Sequence, residues 1–267
     1  MVLKTRNEGS GLLKHKVIRN KMRIARVLMK DPYLSSFIPE TAWFSIKELE
    51  RMLKKYKVAY VKPNKGLQGE GIIRIKSLPN KKFEISYSKK TKIKKFDSMV
   101  NKVIKLLDKR RDYLIQQGLD LATYENRPYD FRFLLVKHLD RWHLTMSSAK
   151  VAAMKDSIVT NVTYNSRWLP PDELQHSIYK VLNESDQTIN PMATLRELMD
   201  LSYQIANTLG GQFPFYMLGL DLAVDKNGSI WFFEANTSPA IKPMKKVNDP
   251  KWFAIVKTAL KDIEIQT

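Results

Sequence analysis

The feature that most constrains the fold is a pair of apolar segments joined by a tight turn near the C-terminus. Residues 218–224 and 230–233 are almost continuously apolar, which is typical of buried strands. Asn227-Gly228 lies between them, and this dipeptide favours a type I′ turn that joins antiparallel strands. The sequence therefore predicts a buried β-hairpin.

Three oxygen-bearing side chains lie on this hairpin. Glu234 and Asn236 share one face of their strand because successive residues point to opposite sides, and the antiparallel pairing brings Asp221 close to them. Carboxylate and amide oxygens suit a hard cation such as Mg²⁺. The alternative is that Glu234 and Asn236 merely cap a strand end, but Asp221 on the partner strand favours the metal site.

Length and composition exclude several classes of protein. The 267 residues suffice for one large domain or two lobes. The chain has no cysteine, which excludes disulfides and thiolate metal sites, and its four histidines are not spaced as zinc ligands. No apolar run approaches the roughly 20 residues of a membrane span. We therefore expect no membrane span and a soluble, cytoplasmic protein.

The positive charge is concentrated in the N-terminal half. The net charge is +19, and residues 61–113 alone hold 16 Lys and Arg against five acids. Such a surface attracts polyanions, among them nucleotides and acidic peptides, although a solvated lysine-rich surface explains it equally well. Aromatic residues are not interleaved with the lysines, which makes a nucleic-acid partner unlikely.

The pattern of apolar residues predicts alternating helices and strands. Capping boxes at Ser45–Glu48 and Thr194–Glu197 predict helix starts, and Asp249-Pro250 predicts another. Lys14 to Lys30 has the pattern of a basic amphipathic helix, whereas the lysine cluster at 89–95 predicts a loop or hairpin end. The predicted strands are 58–61, 72–75, 83–88, 113–116, 131–136 and 143–154.

A lysine followed by a glycine-rich segment has the character of a phosphate-binding loop. Lys62 ends a predicted strand, and Gly66, Gly69 and Gly71 follow before the next strand. Glycines let backbone N–H groups approach phosphate oxygens, and the lysine supplies charge. A plain glycine-rich hairpin is an equal alternative for this loop considered alone.

Further polar residues lie on the predicted central strands. Alternation places Asp130 and Arg132 on one face, where Arg132 could clamp a transferring phosphate or form a structural ion pair. Lys150, Lys155 and Thr160-Asn161 form a weaker group nearby in sequence. The segment Gln116, Gln117, Gly118 and Leu119 is a plausible linker between lobes whose backbone could bind an adenine edge, or an ordinary strand end.

Taken in order, these segments resemble an ATP-grasp enzyme. The order is a glycine flap with its lysine, a hinge strand, Asp130-Phe131-Arg132, a V-x-N segment, and finally Asp221 with Glu234-Ala235-Asn236. The likeness covers about residues 15–260 and is closest to the spore-coat-associated ATP-grasp proteins of spore-forming bacteria. The resemblance implies an α+β fold in which two lobes with antiparallel sheets grip ATP.

The resemblance also implies roles for individual residues. It assigns Arg132 and Lys150 to catalysis at the phosphate, and Asp221, Glu234 and Asn236 to Mg²⁺ or Mn²⁺. The residues that it assigns to ATP are Lys21, Lys62, Gly66, Gly69, Gly71, Gln116, Gln117, Gly118, Leu119 and Asp120.

The implied function is ATP-dependent carboxylate–amine ligation through an acyl phosphate, on a small molecule or an acidic peptide. The alternative is an ATP-binding, spore-coat-associated structural protein with little turnover. The expected division is a flexible basic tail at 1–14, an N-terminal lobe with the flap at 15–112 and a C-terminal lobe with the metal site at 113–267. Many members of the family carry a substrate domain before this module; here that domain is expected to be absent, truncated away or supplied by a partner.

Overall fold

The computed structural model describes residues 12–66, 68–88, 90–261 and 263–266. The strands are β1 Leu13–Lys16, β2 Thr41–Trp43, β3 Val58–Pro63, β4 Ile73–Leu78, β5 Lys82–Tyr87, β6 Lys90–Lys95, β7 Tyr113–Gln117, β8 Thr123–Tyr124, β9 Arg127–His138, β10 Arg141–Val151, β11 Gln175–His176, β12 Met217–Val224, β13 Ile230–Asn236 and β14 Ile263–Gln266. The helices are α1 Lys21–Leu28, α2 Pro32–Ser35, α3 Ile46–Tyr56, α4 Phe96–Leu106, α5 Val162–Asn165, α6 Pro171–Leu174, α7 Ile178–Asn183, α8 Pro191–Gln212 and α9 Pro250–Lys261, with a 3₁₀ segment at Lys242–Val247.

Two larger antiparallel sheets organise the described residues. The first sheet has the order β2-β7-β3-β4-β5-β6, and the second has the order β11-β10-β9-β12-β13 with β8 paired to β9. Strands β1 and β14 form a small parallel pair. The predicted α+β fold with antiparallel sheets is confirmed.

Each sheet has its own apolar core. Ala59 and Val61 of the first sheet are buried in a cluster with residues of α3 and α4 such as Leu49 and Met99. The second sheet buries a larger cluster against α8, in which Phe131 is fully enclosed. The opposite face of the second sheet is covered at one end by the 3₁₀ segment and α9. The remainder of that face is available for polar chemistry.

The predicted helix over residues 14–30 is only partly correct. Leu13–Lys16 forms strand β1, and the helix is limited to Lys21–Leu28, where the Asn20 side chain accepts a hydrogen bond from the Arg23 N–H. His15 is completely buried: its Nε2 lies 2.6 Å from the Thr237 carbonyl oxygen, and its Nδ1 accepts from the Tyr216 N–H. These long-range contacts, which periodicity does not show, keep the segment extended.

The partition into lobes also differs from the expected boundaries. Strand β7 begins at residue 113, the expected start of the C-terminal lobe, but it is hydrogen bonded to β2 and β3 of the first sheet. Helices α1 and α2 contribute Ile24 and Leu34 to the core of the second sheet. In the expected tail at 1–14, residues 1–11 lie outside the described residues, and residues 13 and 14 belong to β1.

Local signals at the helix and strand ends had mixed outcomes. The helix start predicted at Ser45 is confirmed, since its hydroxyl accepts from the Glu48 N–H at 3.1 Å, while the Glu48 carboxylate accepts from Arg51. The second capping box is wrong, because α8 begins one turn earlier at Pro191 and is capped by Asn190. The lysine cluster at 89–95 was predicted to be a loop or hairpin end; residues 90–95 form the edge strand β6, which pairs antiparallel with β5.

The C-terminal hairpin is confirmed, but its turn is longer than predicted. Gly228 has a φ of +84°, whereas Asn227 is absent from the described residues with positive φ, so the turn is not type I′. The Asp225 carboxylate accepts from the N–H groups of Asn227 and Ser229 at 2.9 and 3.0 Å. This local capping stabilises a wider turn than the dipeptide alone indicates.

Gly118 is tightly enclosed where β7 leaves the first sheet. A Cβ at this position would lie 2.4 Å from Val58 Cγ1 and 2.9 Å from the Val58 carbonyl oxygen, whereas one at Gly211 in α8 would have no neighbour within 4 Å. We expect Gly118→Ala to lower the free energy of unfolding by about 1–3 kcal/mol. Gly211→Ala, the matched control, should raise it by about 0.5 kcal/mol. Urea unfolding measures both; an equal effect of the two substitutions would contradict this packing.

Candidate active site

A cleft of about 710 Å³ lies between the two sheets. Its first-sheet side includes Tyr60, Lys62 and Gln116, and its second-sheet side includes Asp130 and Lys150. The predicted site residues that line it are Lys21, Lys62, Gly66, Gly69, Gln116, Gln117, Leu119, Asp120, Lys150, Asp221 and Glu234. Residues from distant parts of the sequence therefore converge on one cleft, as the resemblance implies.

Lys62 is held by a chain of polar side chains on the first sheet. Its ammonium donates to the Gln116 side-chain oxygen, and the Gln116 amide donates to the Thr41 hydroxyl at 2.8 Å. Burial lowers the pKa of Lys62 to about 8; nearby Glu234 opposes this effect and Lys21 adds to it. Gln116 thus contributes its side chain to the site, whereas the sequence indicated only its backbone.

Lys21 connects three parts of the site. Its ammonium lies 3.0 Å from a Glu234 oxygen and donates to the Gly66 carbonyl oxygen at 2.9 Å. The N-terminus of α1 is fixed to the end of β3, because Asn64 accepts from the Lys21 and Met22 N–H groups. Helix α1 thereby holds one cation between the glycine loop and the second sheet.

A buried network of charges lies on adjacent strands of the second sheet. The Arg132 guanidinium donates to both oxygens of Asp221, at 2.5 and 2.9 Å. The Lys150 ammonium lies 2.9 Å from an Asp130 oxygen and 3.0 Å from an Asp221 oxygen. The Thr160 hydroxyl donates to the other Asp130 oxygen at 2.5 Å. Arg132 therefore forms a structural ion pair, the alternative to a phosphate clamp, but with Asp221, whereas Asp130 pairs with Lys150.

This network sets the protonation of its members. Burial opposes the ionisation of Asp221, but Arg132 and Lys150 overcome it and lower the pKa of Asp221 to about 2. Burial raises the pKa of Asp130 to about 6, although Lys150 lowers it in part. The pKa of Lys150 is raised, because Asp130 and Asp221 outweigh the effect of its burial. Asp221, Lys150 and Arg132 are therefore charged at neutral pH.

The hairpin places its acidic residues as predicted. Asp221 is the direct cross-strand partner of Glu234, and Gly219 is that of Asn236. Asn236 does not line the cleft; its side-chain oxygen accepts from the Ser238 N–H at 2.9 Å. The glycine at 219 is required, because a Cβ there would lie 2.6 Å from Pro239 Cβ and 3.3 Å from Arg132 Nη1.

The linker after β7 is only partly exposed to the cleft. Gln117, Leu119 and Asp120 line it, and the Asp120 carboxylate lies 2.8 Å from the Lys226 ammonium. Gly118 does not line the cleft, since its N–H donates to the Val58 carbonyl oxygen at 2.9 Å. The predicted contact of Gly118 with a nucleotide is thus replaced by a backbone contact within the first sheet.

The glycine loop also differs from the prediction in one position. Gly66 and Gly69 line the cleft, whereas Gly71 does not and packs against the Pro63 ring, with a φ of +72°. Gly69 has a φ of +78°, and a Cβ there would lie 3.1 Å from Val159 of the segment after β10. The loop therefore reaches across the cleft toward the second lobe.

The donor set fits a divalent cation. Asp221 and Glu234 occupy directly opposed positions, where Cβ atoms are about 4.5–5.5 Å apart. Both Asp221 oxygens are already paired with Arg132 or Lys150, so an ion shared by the two carboxylates would have to replace these partners. Asn236 keeps a second lone pair on its side-chain oxygen. In the part of the chain that the structure describes, no three His, Cys, Asp or Glu side chains are grouped closely enough to hold a metal ion. The assignment of these three residues to a metal therefore stays a prediction.

Sequence patterns missed some cleft residues. Arg74 and Lys76 line the cleft from β4, and the alternation in Ile73-Arg74-Ile75-Lys76 could have indicated them. Phe233 was expected in the core. The register of β12 and β13 shifts between Asp221 and Leu222, and Phe233 lines the cleft with the Lys62 ammonium 6.0 Å from its ring centroid. Such a bulge leaves no sequence signal.

Comparison with known proteins agrees with this geometry. The family model described as YheC/D-like ATP-grasp matches residues 11–261. The chain belongs to this family. Membership in an ATP-grasp family supports ATP-dependent ligase activity, with ATP and a divalent metal, in general terms.

Two curated relatives share about a quarter of their aligned residues with this chain. Endospore coat-associated protein YheD of Bacillus subtilis (strain 168) is 24% identical over 236 residues, which cover 84% of the chain and 49% of YheD. YheC of the same strain, also endospore coat-associated, is 25% identical over 240 residues, or 86% of the chain and 62% of YheC. The chain thus spans less than two thirds of each relative.

One solved structure aligns with most of the chain. The ATP-grasp ligase PsnB, complexed with minimal precursor, gives a TM-score of 0.48 at 13% identity, over 90% of this chain and 60% of PsnB. Among the helices that the structure describes, none is long and apolar enough to cross a membrane.

The buried network predicts a large penalty for removing its central cation. We expect Lys150→Met to lower the free energy of unfolding by about 3–5 kcal/mol, because two buried carboxylates lose their shared partner. Lys226→Met, which removes a cation from a more exposed pair, should cost at most about 1 kcal/mol. Adding Asp130→Asn to Lys150→Met should restore part of the loss. Urea unfolding at pH 7.5 measures all three variants, and equal losses for Lys150→Met and Lys226→Met would contradict the network.

The pKa of Lys62 predicts a pH dependence of nucleotide affinity. Because this pKa lies near 8, the ammonium is charged below pH 8 and neutral above it. Phosphate binds the charged form, so affinity for a non-hydrolysable ATP analogue should fall about tenfold between pH 7 and pH 9. Lys62→Arg keeps its charge over this range and should largely lose the dependence. Calorimetric titration at several pH values measures the affinity of both proteins. If affinity falls equally with pH in the wild type and in Lys62→Arg, Lys62 is not the source of the pH dependence.

Proposed function

We propose that this protein is an ATP-dependent carboxylate–amine ligase that acts through an acyl phosphate. The observation that carries the proposal is the convergence of Lys21, Lys62 and Lys150 with Asp221 and Glu234 in one cleft. Phosphoryl transfer needs positioning and charge neutralisation more than a nucleophilic side chain. The three lysines would bind phosphates, and the two carboxylates would bind a metal.

The ion pairs of the cleft suit the binding of ATP together with its metal. Lys21 pairs with Glu234, and Arg132 and Lys150 pair with Asp221. Phosphates would take the cations while the metal takes the carboxylates, so each buried charge would exchange one opposite partner for another. No charge is left unpaired, and the high cost of an isolated buried charge is avoided.

Each part of the cleft has a proposed task. Gln116, Gln117, Leu119 and Asp120 hold the adenosine end, and Lys62 with Gly66 and Gly69 holds the phosphates. Asp221, Glu234 and Asn236 would hold Mg²⁺ or Mn²⁺, and the ion would supply positive charge that neutralises the phosphates. Gly71 and Gly118 shape the backbone without lining the cleft. Arg132 acts from within the second sheet, where it orients Asp221.

The reaction has two displacements. A substrate carboxylate attacks the γ-phosphorus of ATP, forming an acyl phosphate as the bond to ADP breaks. An amine then attacks the acyl carbon, so that a carbon–nitrogen bond forms, the carbon–oxygen bond to phosphate breaks, and the amine releases a proton. Lys150, which lines the cleft, would balance the negative charge on the transferring phosphoryl group and on the oxyanion of the tetrahedral intermediate.

The substrate is proposed to be an amino acid or an acidic peptide, because the surplus of positive charge lies in the N-terminal half of the chain. A partner protein would supply further substrate contacts. The alternative is a grasp fold that serves a spore coat with little turnover. This alternative rests on the names of YheD and YheC, both endospore coat-associated proteins.

The proposal is tested by measuring ADP release from ATP and Mg²⁺ with panels of amino acids and acidic peptides, followed by mass spectrometry of the products. A ligase forms ADP, phosphate and a product heavier by the amine minus water. Absence of ADP release across both panels would favour the structural alternative.

The metal assignment is tested by Glu234→Gln. Removing this charge while keeping the size of the side chain should lower Mg²⁺-dependent ATP turnover by at least about tenfold, because the metal loses a carboxylate ligand. Glu50→Gln, which removes a surface carboxylate from α3, should leave turnover unchanged. Wild-type turnover by a folded Glu234→Gln protein would show that the metal assignment is wrong.

A further inference from the structure

Strand β6 forms one edge of the first sheet, and four of its six residues are lysine. Its sequence is Lys-Thr-Lys-Ile-Lys-Lys, every residue is exposed, and it contains no acidic residue. It is the last strand in the order of the first sheet, and no other described strand pairs with its outer side. Its outward N–H and C=O groups can therefore receive another extended chain.

The lysines of β6 are arranged by face. Lys90, Lys92 and Lys94 are the cross-strand partners of Tyr87, Ile85 and Phe83, so they lie on the helix-covered side of the first sheet. An added strand would place every second side chain beside these ammonium groups. Because its other residues would face the cleft side, the spacing selects acidic residues at alternate positions.

The cleft side of β6 is less charged and leads toward the active site. Ile93 is 56% exposed on this side, and its partner Glu84 is already paired with Arg74 at 3.1 Å. Arg74 lines the cleft. Residues that lie between the acidic positions of an added strand would thus lie beside Thr91, Ile93 and Lys95, with one ammonium group instead of three.

We propose that β6 is a docking strand for an acidic peptide segment, which adds to the first sheet in extended conformation with acidic residues at every second position. The segment belongs to the substrate of the proposed ligase, so the role of β6 as a substrate-binding site rests on the proposed function. The addition of a peptide strand to β6 does not depend on that function.

The distance to the active site defines the shape of such a substrate. β6 is three strands from β3, which carries Lys62, and a strand added outside β6 would lie about 19 Å from β3 at about 4.8 Å per strand. An extended chain needs about six residues to cover that distance. The reacting carboxylate is therefore separate from the docking segment.

Lysine on an edge strand is also the ordinary protection against unwanted pairing. That role and simple attraction between opposite charges predict no preference for the order of residues in an acidic peptide. Strand addition does predict one, because only an alternating peptide places all its carboxylates on the side of Lys90, Lys92 and Lys94.

The experiment compares two fluorescent eight-residue peptides of identical composition and charge, one alternating Glu-Thr and one ordered Glu-Glu-Thr-Thr. We expect the alternating peptide to bind about tenfold more tightly by anisotropy at 0.1 M salt. A variant with Lys90, Lys92 and Lys94 changed to Gln should lose this preference. The matched control changes Lys251, Lys257 and Lys261 of α9 to Gln and should retain it. Melting temperatures confirm that both variants are folded.

Several outcomes would overturn docking on β6. These are equal affinities for the two peptides, no binding of either, equal losses in both triple variants, or tighter binding of a single-stranded RNA of matched charge. Adding Mg²⁺, ATP and a mixture of amines, with the alternating peptide extended by six glutamates, tests the ligase separately. Pattern-dependent binding without ADP release would leave the docking strand in place and remove the proposed function.

Discussion

The active-site side of the second sheet depends on one buried ionic network across β9, β10 and β12. Asp221 receives two hydrogen bonds from Arg132 and an ion pair from Lys150, which also contacts Asp130. These groups are at most 12% exposed, so none of the charges is stable without its partners. Its ion pairs join direct cross-strand partners, Asp221 with Arg132 and Lys150 with Asp130, and hold these cations and carboxylates at contact distance. As a result, a buried cation, Lys150, and two buried carboxylates, Asp130 and Asp221, line the cleft side by side.

Much of the site could be predicted because simple alternation governs strands. Glu234 on β13 opposes Asp221 on β12, as the hairpin required, and Phe131 is buried between Asp130 and Arg132 as a period of two demands. The α+β fold and the family followed from several such motifs in one order. None of these inferences needed contacts beyond neighbouring strands.

The errors arose where long-range contacts or backbone shape decided the structure. The extended conformation of Leu13–Lys16 depends on contacts of His15 with Thr237 and Tyr216, more than 200 positions away. The lysines at 90–95 form a strand because β5 provides a ladder that no local pattern reports. Phe233, expected in the core, reaches the cleft through a shift in register between β12 and β13. Ion-pair partners were likewise beyond the sequence: alternation places Asp130 and Arg132 on one face but does not show that they pair with Lys150 and Asp221.

The central claim is that the cleft activates a carboxylate by phosphoryl transfer from ATP. The most direct measurement uses acidic peptides and amino acids labelled with ¹⁸O in their carboxylates, incubated with the protein, ATP, Mg²⁺ and a mixture of amines. The account predicts that inorganic phosphate carries one ¹⁸O atom from the carboxylate for each ADP formed. Phosphate without carboxylate oxygen would indicate simple hydrolysis of ATP, and label in AMP would indicate an adenylate. Either result would contradict the account.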